Sequence, residues 1–363
     1  MKTSSFLVAC SMFAAAANTT ACSSSQGKAI AGATGAGTTD AGASSPGNVL
    51  VADQYNNRVI EITRQGSIVW TFGDGSSVPG ATSIVAPNDA ERLPDGRTLM
   101  AGTGTAAGTE PACAADGGGC PDNRVVLVDA SKAIVWQYGQ DGGMSGSGPD
   151  QLSSPVCAVM LPSGNVLITD QGNARIIEVT MSKAIAWQYP GPDAGAAQQL
   201  NNPNSAERLA NGDTLIADEN NNRVIEVDAA GNIVWQYPQD ADAGLLNGVA
   251  FASRLPNGNT LITDSNDNRI VEVTPAYGVA WSYVTSGRAG SNKAPLPTRA
   301  VRLANGNTLI SDQFNHQVIE VDSSGSIVFT YGQLNSPGNA AGQLNGPYDA
   351  KVVGDFTGLT PPQ

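Results

Sequence analysis

Histidine, charge and long hydrophobic runs are all scarce in this sequence. One histidine, His316, is present in 363 residues, which excludes a zinc site built on several histidines. Only 14% of the residues are charged, with 19 basic against 32 acidic side chains and a net charge of −13. A surface of that sign repels nucleic acid and anionic membranes, so we expect neither as a direct partner.

The one long apolar run stands at the N-terminus. Lys2 precedes residues 6–17, which are too few to span a membrane but match the core of a signal peptide. We therefore predict a signal peptide at residues 1–21. Ala21 before Cys22 resembles the processing site of bacterial lipoproteins, although Thr19 replaces the usual leucine. The resemblance implies a lipid on Cys22, with ordinary secretion or a cytosolic protein as alternatives.

Residues 22–45 are predicted to be the anchor and a flexible tether, because they consist mainly of Ser, Gly, Ala and Thr. The expected location is the bacterial cell envelope, in the periplasm, the outer membrane or the cell surface, or outside the cell. Membrane contact would come only through the lipid.

The cysteines beyond the leader have different predicted roles. Cys113 and Cys120 lie close together in a loop and are predicted to form a disulfide in an oxidising compartment, with two free thiols as the alternative. Cys157 lies in an apolar segment and is predicted to be a small core residue.

One motif is repeated six times between residues 47 and 331. An Arg or Gln is followed twelve residues later by an aromatic side chain in every copy. The pairs are Arg58 and Trp70, Arg124 and Trp136, Arg175 and Trp187, Arg223 and Trp235, Arg269 and Trp281, and Gln317 and Phe329. Short β-branched runs separated by Asn-Gly, Asp-Gly or Ser-Gly turns indicate consecutive β-hairpins.

Four antiparallel strands per copy, with copies repeating at about 50 residues, predict an all-β fold. The expected architecture is a six-bladed β-propeller at residues 46–356, followed by a tail at 357–363. The first copy lacks its innermost strand, and an unmatched strand occurs at residues 347–353. We expect this C-terminal strand to complete blade 1 and close the ring, in a monomer.

Each innermost strand carries alanine at the same place. We predict that these methyl groups line a narrow axial hole. The residues are Ala90, Ala158, Ala206, Ala252, Ala300 and Ala350.

The phrase DENNNRVIEVDAAGNIVWQY at residues 218–237 resembles the NHL-type repeats of six-bladed propellers, and DAERLPDGRTL at 89–99 resembles arylsulfotransferase-type repeats. Arylsulfotransferases of that class use a channel histidine, whereas His316 replaces an asparagine of the repeat and is predicted to be a turn residue. Quinone-dependent propellers generally have eight blades, so we assign the tryptophans to packing between blades.

Five aspartates recur five residues before the landmark Arg or Gln, and we predict that they hold a loop through ion pairs or backbone contacts. They are Asp53, Asp170, Asp218, Asp264 and Asp312. The long irregular connections are all expected on one face, where functional loops are usual.

Side chains beside the axial alanines differ between blades and form the candidate ligand site. Asp89 and Asp349 fall in adjacent blades, and two neighbouring carboxylates are a pattern that fits a calcium ion. Lactonase-like propellers, which this arrangement resembles, hold such an ion. The alternative is a solvated polar mouth of the axial channel. The candidate ligand-binding residues are Asp89, Asp349, Asn88, Tyr348, Asn204, Ser205 and Arg299.

Three functions fit these features. The favoured one is an envelope binding module whose loop-rich face engages a protein, a glycan or a small ligand. The alternatives are an enzyme of arylsulfotransferase-like or calcium-dependent lactonase-like type, and a structural envelope component. The sequence shows no catalytic constellation, and calcium is the one cofactor that its residues suggest.

Overall fold

The computed structural model describes residues 46–106, 109, 113, 119–140, 143–191, 193–240 and 244–362. The predicted signal peptide, the tether and Cys22 lie outside these ranges. Within them, no helix is long and apolar enough to cross a membrane.

The described chain folds into six antiparallel sheets of four strands each, which are the blades of a β-propeller. Blade 1 contains β1 (Val49–Asp53), β2 (Arg58–Ile62) and β3 (Ile68–Phe72). Blade 2 contains β4 (Pro87–Arg92), β5 (Thr98–Thr105), β6 (Cys120–Val128) and β7 (Ile134–Tyr138). Blade 3 contains β8 (Pro155–Met160), β9 (Val166–Asp170), β10 (Arg175–Val179) and β11 (Ile185–Tyr189).

The remaining strands complete the ring. Blade 4 contains β12 (Pro203–Arg208), β13 (Thr214–Asp218), β14 (Arg223–Val227) and β15 (Ile233–Tyr237). Blade 5 contains β16 (Val249–Arg254), β17 (Thr260–Asp264), β18 (Arg269–Val273) and β19 (Val279–Val284). Blade 6 contains β20 (Arg299–Arg302), β21 (Thr308–Asp312), β22 (Gln317–Val321) and β23 (Ile327–Gly332).

The last strand, β24 (Pro347–Val352), pairs with β1 and completes blade 1, which confirms the predicted closure. In this pairing Ala350 lies opposite Val51. The C-terminal strand therefore covers the edge of β1 that would otherwise be unpaired.

The two faces of the ring differ in their connections. The turns between the first and second and between the third and fourth strands of a blade are tight, as in the turn where Gly66 has a φ of +85° and donates its N–H to Thr63. The long connections lie on the opposite side. We call these two surfaces the turn face and the loop face.

Loops on the loop face are held by the predicted aspartates. Asp218 accepts a hydrogen bond from Arg223 Nε at 2.7 Å through one oxygen and from the backbone N–H of Asn201 at 2.8 Å through the other. The same arrangement recurs at Asp53, Asp170 and Asp264. At Asp312 the guanidinium comes from Arg288, because Gln317 replaces the landmark arginine. The predicted structural role is confirmed.

Neighbouring blades are joined by a three-residue contact of Glu, Arg and Trp. In the contact between blades 1 and 2, Arg92 pairs with Glu61 at 2.8 Å and lies 4.3 Å from the centre of the Trp70 ring. Arg208, Arg254 and Arg302 repeat it. The tryptophans therefore pack between blades, as predicted.

Two of the contacts between neighbouring blades are formed by other residues. Between blades 2 and 3, Leu127 and Met160 stand where the others have Glu and Arg, so an apolar pair replaces a charged one. Between blades 6 and 1, Arg64 reaches from a turn to Glu320 and Phe329.

The sulfur atoms of Cys113 and Cys120 are bonded in the structure. Both cysteines are buried and pack with Val85. Cys157 is a buried free thiol whose pKa is raised by burial to about 12, as expected for a core residue.

Candidate functional site

Four charged side chains meet on the axis of the ring. Asp89, Arg299, Asp349 and Lys351, here called the central cluster, come from the innermost strands of blades 2, 6 and 1. Lys351 Nζ lies 2.5 Å from Asp89 Oδ1 and 2.6 Å from Asp349 Oδ2. Arg299 reaches the same two carboxylates at 3.0 and 2.7 Å. Two cations therefore neutralise two anions.

Burial makes these contacts strong. The side chains of both aspartates and of Arg299 are only 1–2% exposed. Burial alone would lower the pKa of Arg299 and of Lys351, but Asp349 and Asp89 outweigh it and raise both. Burial likewise opposes ionisation of Asp89, yet Lys351 and Arg299 hold its pKa below the usual value.

The residues of the central cluster do not fit a calcium ion. Lys351 Nζ already occupies the place between the two carboxylates that a cation would take, and Arg299 lies beside it. No three His, Cys, Asp or Glu side chains converge as metal ligands anywhere in the described ranges. Calcium binding would require displacement of the protein's own ammonium group.

The prediction of a hole lined by methyl groups is wrong. Ala90, Ala158 and Ala350 pack in the apolar cores between blades, and the residues beside them turn towards the axis. Asp349 accepts the N–H of Ala90 at 3.0 Å, and Asp89 accepts that of Ala158 at 2.9 Å. Backbone groups of one inner strand are thus satisfied by side chains of the neighbouring blade.

Ser205 continues this pattern, since its Oγ accepts the N–H of Ala252 at 3.4 Å. Arg299, in contrast, lies 4.2 Å from the centre of the Phe251 ring. Arg299 is 2% exposed, so the centre is buried, which contradicts the alternative of a solvated mouth.

The end of the axis at the turn face is closed by the C-terminal tail. Thr360 donates its N–H and its hydroxyl to Glu207 Oε2 at 2.8 and 2.6 Å and is 2% exposed. The Thr360 hydroxyl accepts the N–H of Arg208 at 2.9 Å. Glu91 lies at the same level, accepts the N–H of Met160, and has a pKa raised by burial to about 8.

The end at the loop face is closed by a hydrogen bond across the axis. Tyr348 of blade 1 meets Asn204 of blade 4, with 2.9 Å between the Tyr348 hydroxyl and Asn204 Nδ2. Glu219 accepts hydrogen bonds from Asn204 and Asn202, and burial raises its pKa. This level of the ring is polar, with Asn204 buried and Tyr348 and Glu219 half-buried.

A row of amides crosses the same level. Gln313 donates to Gln54 at 2.8 Å, and Gln54 donates to Asn88 at 2.7 Å. All seven side chains predicted for a ligand site therefore lie around the axis, in two layers. Asn88, Asn204 and Tyr348 are near the loop face, and the other four lie deeper.

His316 occupies a turn. Its φ is +56°, and its Nδ1 accepts the N–H of Gly346 at 3.1 Å. Asn57, Asn222 and Asn268 use their side-chain oxygens in the same way at the equivalent places. His316 therefore substitutes for asparagine as an acceptor.

This role predicts an acid-sensitive contact. Burial lowers the pKa of His316, so the neutral ring stabilises the fold above the unfolded pKa and this contribution is lost as the pH falls through the folded pKa. His316→Asn should remove that loss, an effect of about 1 kcal/mol or less. At pH 5 the variant should melt at a higher temperature than the wild type, and this difference should be larger than at pH 7. Parallel curves would contradict the assignment.

Lys351 and Glu219 are two residues of the site that the repeat pattern did not predict. Lys351 stands directly after Ala350, at a place where the other blades have Glu, Val or Ser, and this break in the repeat could have identified it. Glu219 stands where blades 1, 3 and 6 have glutamine. Its significance appears only when the amide donors around it are known.

Solved structures share the fold. A protein of unknown function from Bacteroides caccae has a TM-score of 0.55 at 16% identity, covering 79% of this chain and 93% of its own. Virginiamycin B lyase from Staphylococcus aureus has a TM-score of 0.50 at 16% identity, covering 80% and 82%. A nidogen/laminin complex gives 0.51 at 14%, covering 78% and 92%. At these identities the likeness concerns the fold alone.

No curated protein sequence matches the chain significantly. A family model does match, over residues 121–337, and it is described as outer membrane protein assembly factor BamB, PQQ_2. The NHL and arylsulfotransferase resemblances stay predictions about the repeat type. Because the match covers more than half of the chain, this six-bladed propeller belongs to the BamB-type PQQ_2 repeat family.

Proposed function

We propose that this protein is an exported, lipid-anchored binding module of the bacterial cell envelope that presents its loop face to a partner. The observation that carries the proposal is the closed axis. The central cluster is neutral and buried, and side chains cover both ends of the axis. What is left for recognition is the irregular surface of the loop face.

The point where the chain enters the propeller supports the orientation. Gly47 accepts a hydrogen bond from Arg64 Nε at 2.7 Å, and Pro46 lines a cavity with Ala304 and Gly354 on the turn face. The chain therefore joins the propeller at the turn face, which leaves the loop face free of the tether. The family description, an outer membrane assembly factor, agrees with an envelope role.

The enzyme alternatives receive less support. The one histidine is an acceptor in a turn, and the residues considered for calcium are paired with Lys351 and Arg299. An arylsulfotransferase-like or lactonase-like reaction would need another set of groups. A structural envelope component would not require a distinct loop face.

The proposal is tested by photo-cross-linking on two faces of one blade. Asn266 and Asn257 are exposed asparagines of blade 5 on the loop face and the turn face respectively. With p-benzoylphenylalanine at either position in the full chain, adducts with envelope components should form from position 266 and not from 257. Cys22→Ser should move the protein from the membrane fraction to the soluble fraction. Adducts from 257 alone, or no change in fractionation, would refute the proposal.

A further inference from the structure

Glu219 is a carboxylate held ready to accept a hydrogen bond at the loop-face end of the axis. Asn202, Asn204 and Gln171 all donate to its Oε2, at 3.0, 2.9 and 3.3 Å. Among the described residues, no hydrogen bond reaches its Oε1. The carboxylate is therefore fixed through one oxygen, while the other is left for a donor from outside the protein.

An aromatic pair lies in the equivalent turns of two other blades on the loop face. Tyr55 of blade 1 and Phe314 of blade 6 stack with ring centres 6.5 Å apart and planes 20° apart. The equivalent turn residues of blades 3, 4 and 5 are Gly172, Asn220 and Asn266, which lie in turns at the same place in the blade. The turn therefore does not require an aromatic residue.

The orientation of the Tyr55 ring is set by Gly346. Gly346 has a φ of +61°, and a β-carbon there would lie 2.5 Å from Tyr55 Cδ2. Glycine is thus needed both for the backbone conformation and for the ring that packs on it. Tyr348 is connected to the carboxylate through Asn204, whose Nδ2 lies 2.9 Å from the Tyr348 hydroxyl and donates to Glu219 Oε2 at 2.9 Å.

We propose that this rim, formed by Glu219, Tyr348, Tyr55 and Phe314, binds a neutral oligosaccharide; the inference rests on the proposed function and names its ligand class. Aromatic rings offer a flat apolar surface for the C–H face of a sugar ring. Sugar hydroxyls donate as well as accept, so one of them can donate to the Glu219 oxygen while the ring packs on an aromatic side chain.

Charge favours a neutral sugar over an anionic one. Arg299, the nearest guanidinium on the axis, is buried and paired with Asp89 and Asp349. The net charge of −13 repels anions. A peptide is the competing ligand and is an outcome of the test.

The test is calorimetric titration of the full chain with maltotriose, cellotriose and tri-N-acetylchitotriose. At least one should bind with a Kd on the order of 1 mM or tighter. Glu219→Gln should weaken that binding about tenfold, since it removes a charged acceptor. It also introduces the residue found in three other blades, so the fold should be preserved. Tyr55→Ala with Phe314→Ala should weaken it further.

Asp267→Asn is the matched control, because it removes a carboxylate from the same face one blade away and should leave the affinity unchanged. Binding of none of the three sugars would overturn the inference, as would equal affinities for Glu219→Gln and the control. Binding of an unstructured peptide mixture but no sugar would also overturn it. If loop-face adducts still form at position 266 in that case, the proposed function survives and only the ligand class is wrong.

Discussion

Replacing Lys351 by methionine should lower the free energy of unfolding by about 3–5 kcal/mol. The ammonium group donates to Asp89, Asp349 and the carbonyl of Ala90, within 2.5 to 3.0 Å. Without it, two buried carboxylates share one guanidinium, and a buried charge is left uncompensated. Urea unfolding at pH 7 would measure the loss.

A second substitution separates charge from packing. Asp349→Asn combined with Lys351→Met restores a neutral cluster, because Asp89 keeps Arg299 and the asparagine oxygen can still accept the Ala90 N–H. The double variant should recover most of the lost stability, to within about 1–2 kcal/mol of the wild type. A single variant as stable as the wild type, or a double variant no better than the single one, would contradict this view of the centre.

Removing residues 347–363 should abolish cooperative folding, a loss of more than about 5 kcal/mol. The deletion takes away β24, exposes the edge of β1, and removes Lys351 from the centre. A thermal melt followed by circular dichroism should show no sharp transition.

Complementation tells whether the missing strand is the cause. A synthetic peptide of residues 345–363 should restore a sharp transition to the truncated chain. The matched control is the peptide of residues 201–219, which contains the inner strand of blade 4 with its Ala206 in the corresponding place. Equal rescue by both peptides, or a truncated chain that melts like the wild type, would argue against closure by β24.

Much of the architecture was predictable because the same sequence motif occurs six times along the chain. The strands, the turns, the aspartates that hold the loops and the tryptophans between blades each recur at constant spacing, and tertiary structure confirms all four. The closure followed from one unmatched strand. Repetition makes such inferences safe, since an error in one copy would conflict with the others.

The centre of the ring was predictable only in part. Asp89, Asp349 and Arg299 were placed near the axis by their register beside the alanines, and they do meet there. The direction of the side chains was wrong, because a strand can turn its alanines either to the axis or between the blades. The ammonium group of Lys351 takes the place that a calcium ion would need between the two carboxylates, and only the geometry shows this.

By itself, the sequence determined the number of blades, the strand that closes the ring and the separation of long loops from tight turns, since these depend on local pattern and order along the chain. Only the tertiary structure decided what fills the axis, which oxygen of Glu219 lacks a donor within the described part of the chain, and that Thr360 closes the other end. Most of those contacts join residues far apart in the sequence, such as Asn204 and Glu219, 15 positions apart, and Lys351 and Asp89, 262 positions apart. Their charges and hydrogen bonds depend on distances that no local pattern contains.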